Sequence, residues 1–316
     1  MFPRNHWWAV AESRELGKRP LRLQRFGEWL TFWRDDQGVA HCVPDRCPHR
    51  GASLARGRVV DGCLECPFHA FRFDGAGRCT LAPSEGKSPE HRPALDTQGY
   101  ALKEQRGLVF LWWGDEAANG EPPWFDLIDE RYHGSGFTVE WKINYMRATE
   151  VQLDWAHLPF VHHNSIGFRF DPAIDLDMDL DGDHLRTWDR RFETETGEPS
   201  FYLHLAFPNL WMNPIRKGMF GMLALVPIDE ERTCLYVRLY QNRVTVPVLR
   251  SVFSWAMNVV NGFITNQDKL VVESQPNTAT QDIRHERLTA SDRPIAAYRK
   301  EMKRRLAGQR GDDESS

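Results

Sequence analysis

The sequence predicts an α+β chain, with an all-β N-terminal half and a second half in which strands cluster between helices. Three observations lead there. From Leu21 to about Trp113, short β-type runs alternate with turn residues. Beyond Phe137, strand-like runs are bracketed by helical stretches. Between Gly114 and Gly136 lies a segment rich in Gly, Pro and acids, centred on Pro122-Pro123, which suits a connection. A chain of 316 residues is long enough for two medium-sized cores. The expected division is a first domain over 1–118, a connection over 119–136, a second domain over 137–307 and a disordered polar tail over 308–316.

In the first half the β-type runs are 21–26, 29–34, 39–43, 70–73 and 107–113, with Gly27-Glu28, Asp35-Asp36-Gln37-Gly38 and Asp74-Gly75-Ala76-Gly77 as turns. The second half opens with a strand over 137–143 and a helix to about His157, which Pro159 should stop. Strand-like runs follow at 185–192, 201–207, 219–226 and 233–240. A long helix is expected from near Pro247 to about Glu273, and a last amphipathic helix over 295–306. The most apolar stretch, 252–264, is interrupted by Ser254, Asn258, Asn261 and Gly262 and falls short of the ~20 residues of a membrane span. It reads as a core helix.

Hydrophobic content of 41% and charged content of 27% are ordinary for a globular protein. With 40 Lys and Arg against 44 Asp and Glu, there is no net basic field to attract nucleic acid or an anionic membrane. The N-terminus lacks an apolar run followed by a small-residue cleavage site, so a cytoplasmic location is expected. In a reducing compartment, short Cys/His clusters point to metal ligands rather than disulfides. Cys42, Cys63, Cys79 and Cys234, with no His at ligand spacing, read as small buried residues.

Two such clusters stand at Cys47-Pro48-His49 and Cys66-Pro67-Phe68-His69. Two Cys and two His could hold a tetrahedral zinc ion, although zinc sites more often repeat one spacing or pair Cys with Cys. Cys-x-His followed by Cys-x-x-His instead resembles the Rieske proteins, where two thiolates hold one iron of a [2Fe–2S] cluster and two imidazoles hold the other. The prolines after each cysteine suit two rigid loops clamping a cluster, and Arg50-Gly51 extends the first of them.

Respiratory Rieske proteins have an extra cysteine in each loop, and a Ser and a Tyr that hydrogen-bond the cluster sulfur atoms. Ala52, Phe68, Phe71 and Phe73 occupy the corresponding positions here. Losing those bonds lowers the reduction potential, because they stabilise the more negative reduced cluster. The resemblance is therefore to the low-potential centres of Rieske non-haem iron oxygenases and their ferredoxins. Those more usually have Tyr, Gly and Trp where this chain has Phe68, Ala70 and Phe71.

A ferredoxin would need only the first domain. In the second, Asp154-x-x-His157-x₄-His162 resembles the catalytic signature of Rieske oxygenases, whose iron is held by two His and one carboxylate with open positions for O₂ and substrate. On an unbroken helix His157 and His162 would lie about 140° apart, so the helix end expected at Pro159 is needed to bring them together. His163 is the neighbouring alternative. For the carboxylate, the resemblance points to Asp268 in Gln267-Asp268-Lys269 on the late helix, with Glu273 or Asp282 as alternatives. Independently, Asn258, Asn261, Thr265 and Asp268 recur at helical spacing, the stripe an inward-facing polar site would produce.

The resemblance runs from Trp7 to about Glu273. It implies a helix-grip (START-like) catalytic domain with an antiparallel sheet and a long C-terminal helix, and a [2Fe–2S] cluster on Cys47, His49, Cys66 and His69. It also implies Fe(II) on His157, His162 and Asp268, with O₂ as co-substrate. Asp154 would bridge a Rieske histidine of one subunit to an iron histidine of the next in a head-to-tail homotrimer. Many relatives have Asn three residues before this Asp, where Val151 stands here between Glu150 and Gln152.

No Gly-x-Gly-x-x-Gly fingerprint is present, so NAD(P)H should act only through a separate reductase, with or without a ferredoxin. The compact second half resembles the monooxygenases and demethylases of the family, implying hydroxylation or oxidative demethylation of a small, ring-containing substrate. Competing readings are a ring cis-dihydroxylating dioxygenase, or a Rieske electron carrier with a non-catalytic ligand-binding domain. Pocket candidates are Phe201, His204, Trp211, Asn213, Phe220 and Met222. Neither nucleic acid nor a membrane span is expected.

Overall fold

The computed structural model describes residues 2–85, 93–277 and 286–307. Two compact units emerge, one from Asn5 to Pro122, the other combining the residues up to Arg4 with those from Pro123 onward.

The described residues of the first unit form three small antiparallel sheets. One has the order β1 (His6–Glu12), β10 (Leu108–Trp113), β9 (Leu102–Gln105). The second is β2 (Leu21–Arg25), β3 (Glu28–Arg34), β4 (Ala40–Pro44). The third is β5 (Arg58–Val60), β6 (Cys63–Glu65), β7 (Arg72–Phe73), β8 (Cys79–Leu81). Cys47, Cys66 and Cys79 pack into one core with Trp33, Leu54, Leu64 and Phe73. Cys42 and Cys234 are also buried, whereas Cys63 is half-buried, and all six are free thiols.

The second unit centres on a seven-stranded antiparallel sheet of order β11-β17-β16-β15-β14-β13-β12. Its strands are β11 (His133–Trp141), β12 (Leu176–Asp181), β13 (His184–Asp189), β14 (Leu203–Ala206), β15 (Leu210–Arg216), β16 (Met219–Pro227) and β17 (Thr233–Gln241). Among the described residues, four α-helices accompany it: α1 (Tyr145–Leu153), α2 (Leu158–Val161), α3 (Pro247–Val272) and α4 (Arg293–Ala307). Helix α3 packs on β11, β17, α1 and α2.

Four local expectations need correction. β11 begins at His133, inside the segment expected to be a connection. Gly134 and Gly136 are there for close approach: a Cβ at Gly136 would sit 2.2 Å from Val237 O, and one at Gly134 2.9 Å from the Arg238 guanidinium. Pro159 does not stop α1, which ends at Leu153 with Asp154 as its cap. The proline instead occupies the first turn of the short α2, where its missing N–H costs nothing. Strands β1, β5, β6, β8, β9, β12 and β15 fall outside all the expected runs. Lastly, 252–264 is not a core helix: Val252, Trp255, Val259, Val260 and Phe263 are exposed, while polar Thr265 and Asp268 are buried. The tail 308–316 and Asp282 lie outside the described residues.

Candidate active site

The two Cys/His loops share one backbone design. In the first, Gly51 N–H donates to Cys47 O (2.8 Å) and Cys47 N–H to Ala52 O (2.9 Å). In the second, Ala70 N–H donates to Cys66 O (3.1 Å) and Cys66 N–H to Phe71 O (2.8 Å). The residue four beyond each cysteine is left-handed, Gly51 at φ +73° and Ala70 at φ +57°. Ala70 thus adopts the conformation that glycine takes freely, at a cost of about 1 kcal/mol. These matched turns place His49 and His69 with ring centroids 4.7 Å apart, His49 stacked on Phe71 at 4.9 Å.

Each loop is anchored by a buried carboxylate that the sequence reading missed. Asp45 accepts from Thr31 Oγ1 (2.6 Å), Ser53 Oγ (2.8 Å) and the Ala55 N–H (2.8 Å), and pairs with Arg22. Glu65 accepts from Arg58 (2.8 Å) and Arg72 (2.9 Å). Burial pushes the Cys47 thiol up to about 11, and the adjoining Cys66 thiol adds to the rise. Two neighbouring buried thiols become thiolates together only against a strong cationic charge. With two imidazoles beside them, the donor set fits an iron–sulfur cluster.

In the second unit the α1–α2 junction and α3 bring together His157, His162 and Asp268, whose ligand atoms all lie within 4.8 Å of one another. Asp268 Oδ1 is 3.0 Å from His162 Nε2 and 3.5 Å from His157 Nε2. Neither contact is aligned as a hydrogen bond, and Asp268 Oδ1 is left buried without a partner among the described residues. Atoms converging on one point without bonding one another are what a shared cation requires. Asp268 holds the His162 imidazole above its usual range despite burial.

Neighbouring groups aim these ligands. Gln267 Oε1 accepts from Ser165 Oγ (2.8 Å) and lies 3.0 Å from His162 Nδ1. An amide oxygen can only accept, so Nδ1 carries the proton and the Nε2 lone pair faces Asp268. Asp154 Oδ1 accepts from the Ala156 N–H (2.8 Å), and its Oδ2 lies 3.5 Å from His157 Nδ1. Burial works to raise the Asp154 carboxyl, but His157 and the backbone N–H leave it below the usual range. Glu150 is turned to Arg299 and Arg147 instead.

The alternatives sit elsewhere. His163 is exposed, its Nδ1 2.8 Å from Phe160 O, and Glu273 accepts from the Lys142 N–H (2.7 Å). The three-residue group lines a cavity of about 200 Å³, walled by residues such as Leu158, Phe170, Leu223, Met257 and Ile264, with Gln152, Asn261 and Thr265 among its polar groups. Phe201, Trp211, Asn213 and Met222 line it as well. His204 and Phe220 do not. The register pairs His204 with Met212 and Phe220 with Tyr240, the sheet face opposite to that of Trp211 and Asn213; Met222, paired with Met212, shares the face of His204 although it borders the cavity. There His204 lies 3.0 Å from His184 and against Phe125, and Phe220 packs on Tyr132.

Residues 6–98 match the Rieske [2Fe-2S] domain family. The 4β-methylsterol monooxygenase of Methylococcus capsulatus is 40% identical over 274 residues, covering 80% of this chain and 71% of that protein. The chain belongs to the Rieske non-haem iron oxygenases. The likeness extends to protein TIC 55 of Arabidopsis thaliana, chloroplastic, 28% identical over 311 residues, which are 90% of this chain and 56% of that one. The chain spans about half the length of the first curated relatives it matches. The Rieske oxygenase fold recurs in the crystal structure of dicamba monooxygenase bound to 3,6-dichlorosalicylic acid, at a TM-score of 0.78 and 22% identity over 97% of this chain and 98% of that one. Among the described residues, no helix is long and apolar enough to cross a membrane.

Proposed function

We propose that this chain is the terminal oxygenase component of a Rieske system, hydroxylating or oxidatively demethylating an apolar ring substrate with O₂ and electrons from a separate NAD(P)H-dependent reductase. The observation that carries the reading is the group His157, His162 and Asp268, with its unpartnered Asp268 oxygen, at the wall of a mostly apolar cavity. Cys47, His49, Cys66 and His69 would hold the [2Fe–2S] cluster, and His157, His162 and Asp268 an Fe(II) ion. When bound, these groups supply the one-electron transfers and the activation of O₂. The chain's own residues do the rest. Gln267 fixes the His162 tautomer, Asp154 keeps a negative charge beside His157, and Leu158, Phe170 and Ile264 hold substrate and exclude water.

Asp154 caps α1 beside His157 and would carry the electron path between subunits of a cytoplasmic homotrimer. The name of the 40% identical relative, a methylsterol monooxygenase, favours monooxygenation of a methyl-bearing ring system over dihydroxylation. The test is O₂ uptake with a surrogate reductase across a panel of apolar ring compounds. The proposal expects substrate-dependent uptake that Asp154→Asn abolishes while both metal centres remain filled. Full turnover in that variant would refute the bridging role, and no uptake with any substrate would refute the oxygenase.

A further inference from the structure

Helix α3 is amphipathic in the reverse of the usual sense. Its inward side carries Asn258, Asn261, Thr265 and Asp268, with Asn258 Oδ1 buried and unpartnered among the described residues. Outward stand Val248 (73% exposed), Leu249, Val252, Trp255 (69%), Val259 and Phe263. A surface helix normally turns its apolar side to the core, and an exposed apolar face of this extent marks an interaction surface. Val260, also exposed, lines the cavity as well, so the apolar face is continuous with the pocket wall. Phe168, 81% exposed, directly precedes the cavity-lining Arg169 and Phe170 in the chain.

The charges at the start of α3 say what covers this face. Arg243 donates to Lys217 O (2.9 Å), joining the β15–β16 turn to the segment that enters α3, and Arg250 lies 3.2 Å from His133 at the same end of the sheet. Arg216, Lys217 and Arg243 are exposed. Residues 199–228 and 233–267 contain neither Asp nor Glu. The chain as a whole is acidic by four charges, so this basic end is a local departure. A second copy docking face to face would set these cations against their own counterparts, with no carboxylate in 199–228 or 233–267 to meet them. An anionic bilayer offers both negative headgroups and an apolar layer for Trp255 and the valines.

The geometry points to a membrane-docking face: the outer side of α3, with Arg216, Lys217 and Arg243, seats on an anionic lipid surface, and a substrate dissolved in that lipid enters the cavity past Val260. This deepens the oxygenase reading by assigning its substrate to water-insoluble, membrane-partitioned ring compounds. Docking, unlike catalysis, needs no turnover.

The test is co-sedimentation of the full chain, with its metals loaded, on phosphatidylcholine vesicles with and without phosphatidylglycerol. Binding should require the anionic lipid and weaken as salt rises. Val252→Ser with Trp255→Ser, and separately Lys217→Glu with Arg243→Glu, should each weaken it about tenfold or more, with oligomeric mass and cluster absorbance unchanged. None of these four side chains lines the cavity. No binding to anionic vesicles, or binding insensitive to both variants, overturns the proposal. A change of oligomeric mass in the Val252→Ser, Trp255→Ser protein also overturns it and gives the face to a second copy. Failure to sediment with both iron sites filled leaves the oxygenase standing; sedimentation without the second iron site leaves the docking standing.

Discussion

The two candidate metal sites are assembled in opposite ways. The cluster loops take their donors from 47–49 and 66–69, and each closes on itself through the same two backbone bonds and one left-handed residue. The three-residue site draws His157 and His162 from a helix junction and Asp268 from α3, more than a hundred residues on. The first geometry is set by a few backbone dihedrals and two anchoring carboxylates. The second depends on the packing of α3 against α1 and α2. A local site tolerates change elsewhere and fails through its own loop, whereas a long-range site fails through whatever positions its helix.

Substitutions can break that contrast. The largest effect should come from Asp45→Ala, which leaves Thr31, Ser53 and the Ala55 N–H without their buried acceptor. A cost of about 3–5 kcal/mol to the first unit is expected, read as a lower denaturation midpoint and loss of cluster absorbance. Iron binding at His157, His162 and Asp268 should persist, and its loss would show that the sites are not separable. Gln267→Leu should be smaller and confined to the second unit. Without the oxygen that fixes the His162 tautomer, iron affinity there should fall about 10–100-fold with the cluster spectrum intact, as metal titration would report. The smallest is Ala70→Gly. Relieving a left-handed alanine should be neutral or stabilising by up to about 1 kcal/mol, and a destabilised protein would mean that the alanine methyl packs usefully in the loop.

Legibility in the sequence follows the same division. The cluster loops were readable because four donors and two prolines fall within short windows, and Ala70 at a glycine position took up the glycine conformation. What escaped there were Asp45 and Glu65, ordinary acids until the fold buries them beside the loops. In the second unit the spacing of His157 and His162 was visible, but the reason they meet was misplaced. Asp154 ends α1, and Pro159 starts α2 rather than stopping its predecessor. Gln267 was read only as the context of Asp268, because its role exists only once α3 packs near His162.

Strand β12, Leu-Asp-Met-Asp-Leu-Asp, is an edge strand whose acids mask its alternation. Gly134 and Gly136 imitate a linker where a neighbouring strand needs room. The outer face of α3 misled most. Apolar composition suggested a core helix, yet burial follows the polar stripe.

The central claim is that one chain holds a cluster and a separate iron, and metal analysis tests it most directly. The account predicts three irons per chain in the wild-type protein, and two with unchanged cluster absorbance in His157→Ala. Two irons in the wild type, or three irons and full turnover in His157→Ala, would contradict it.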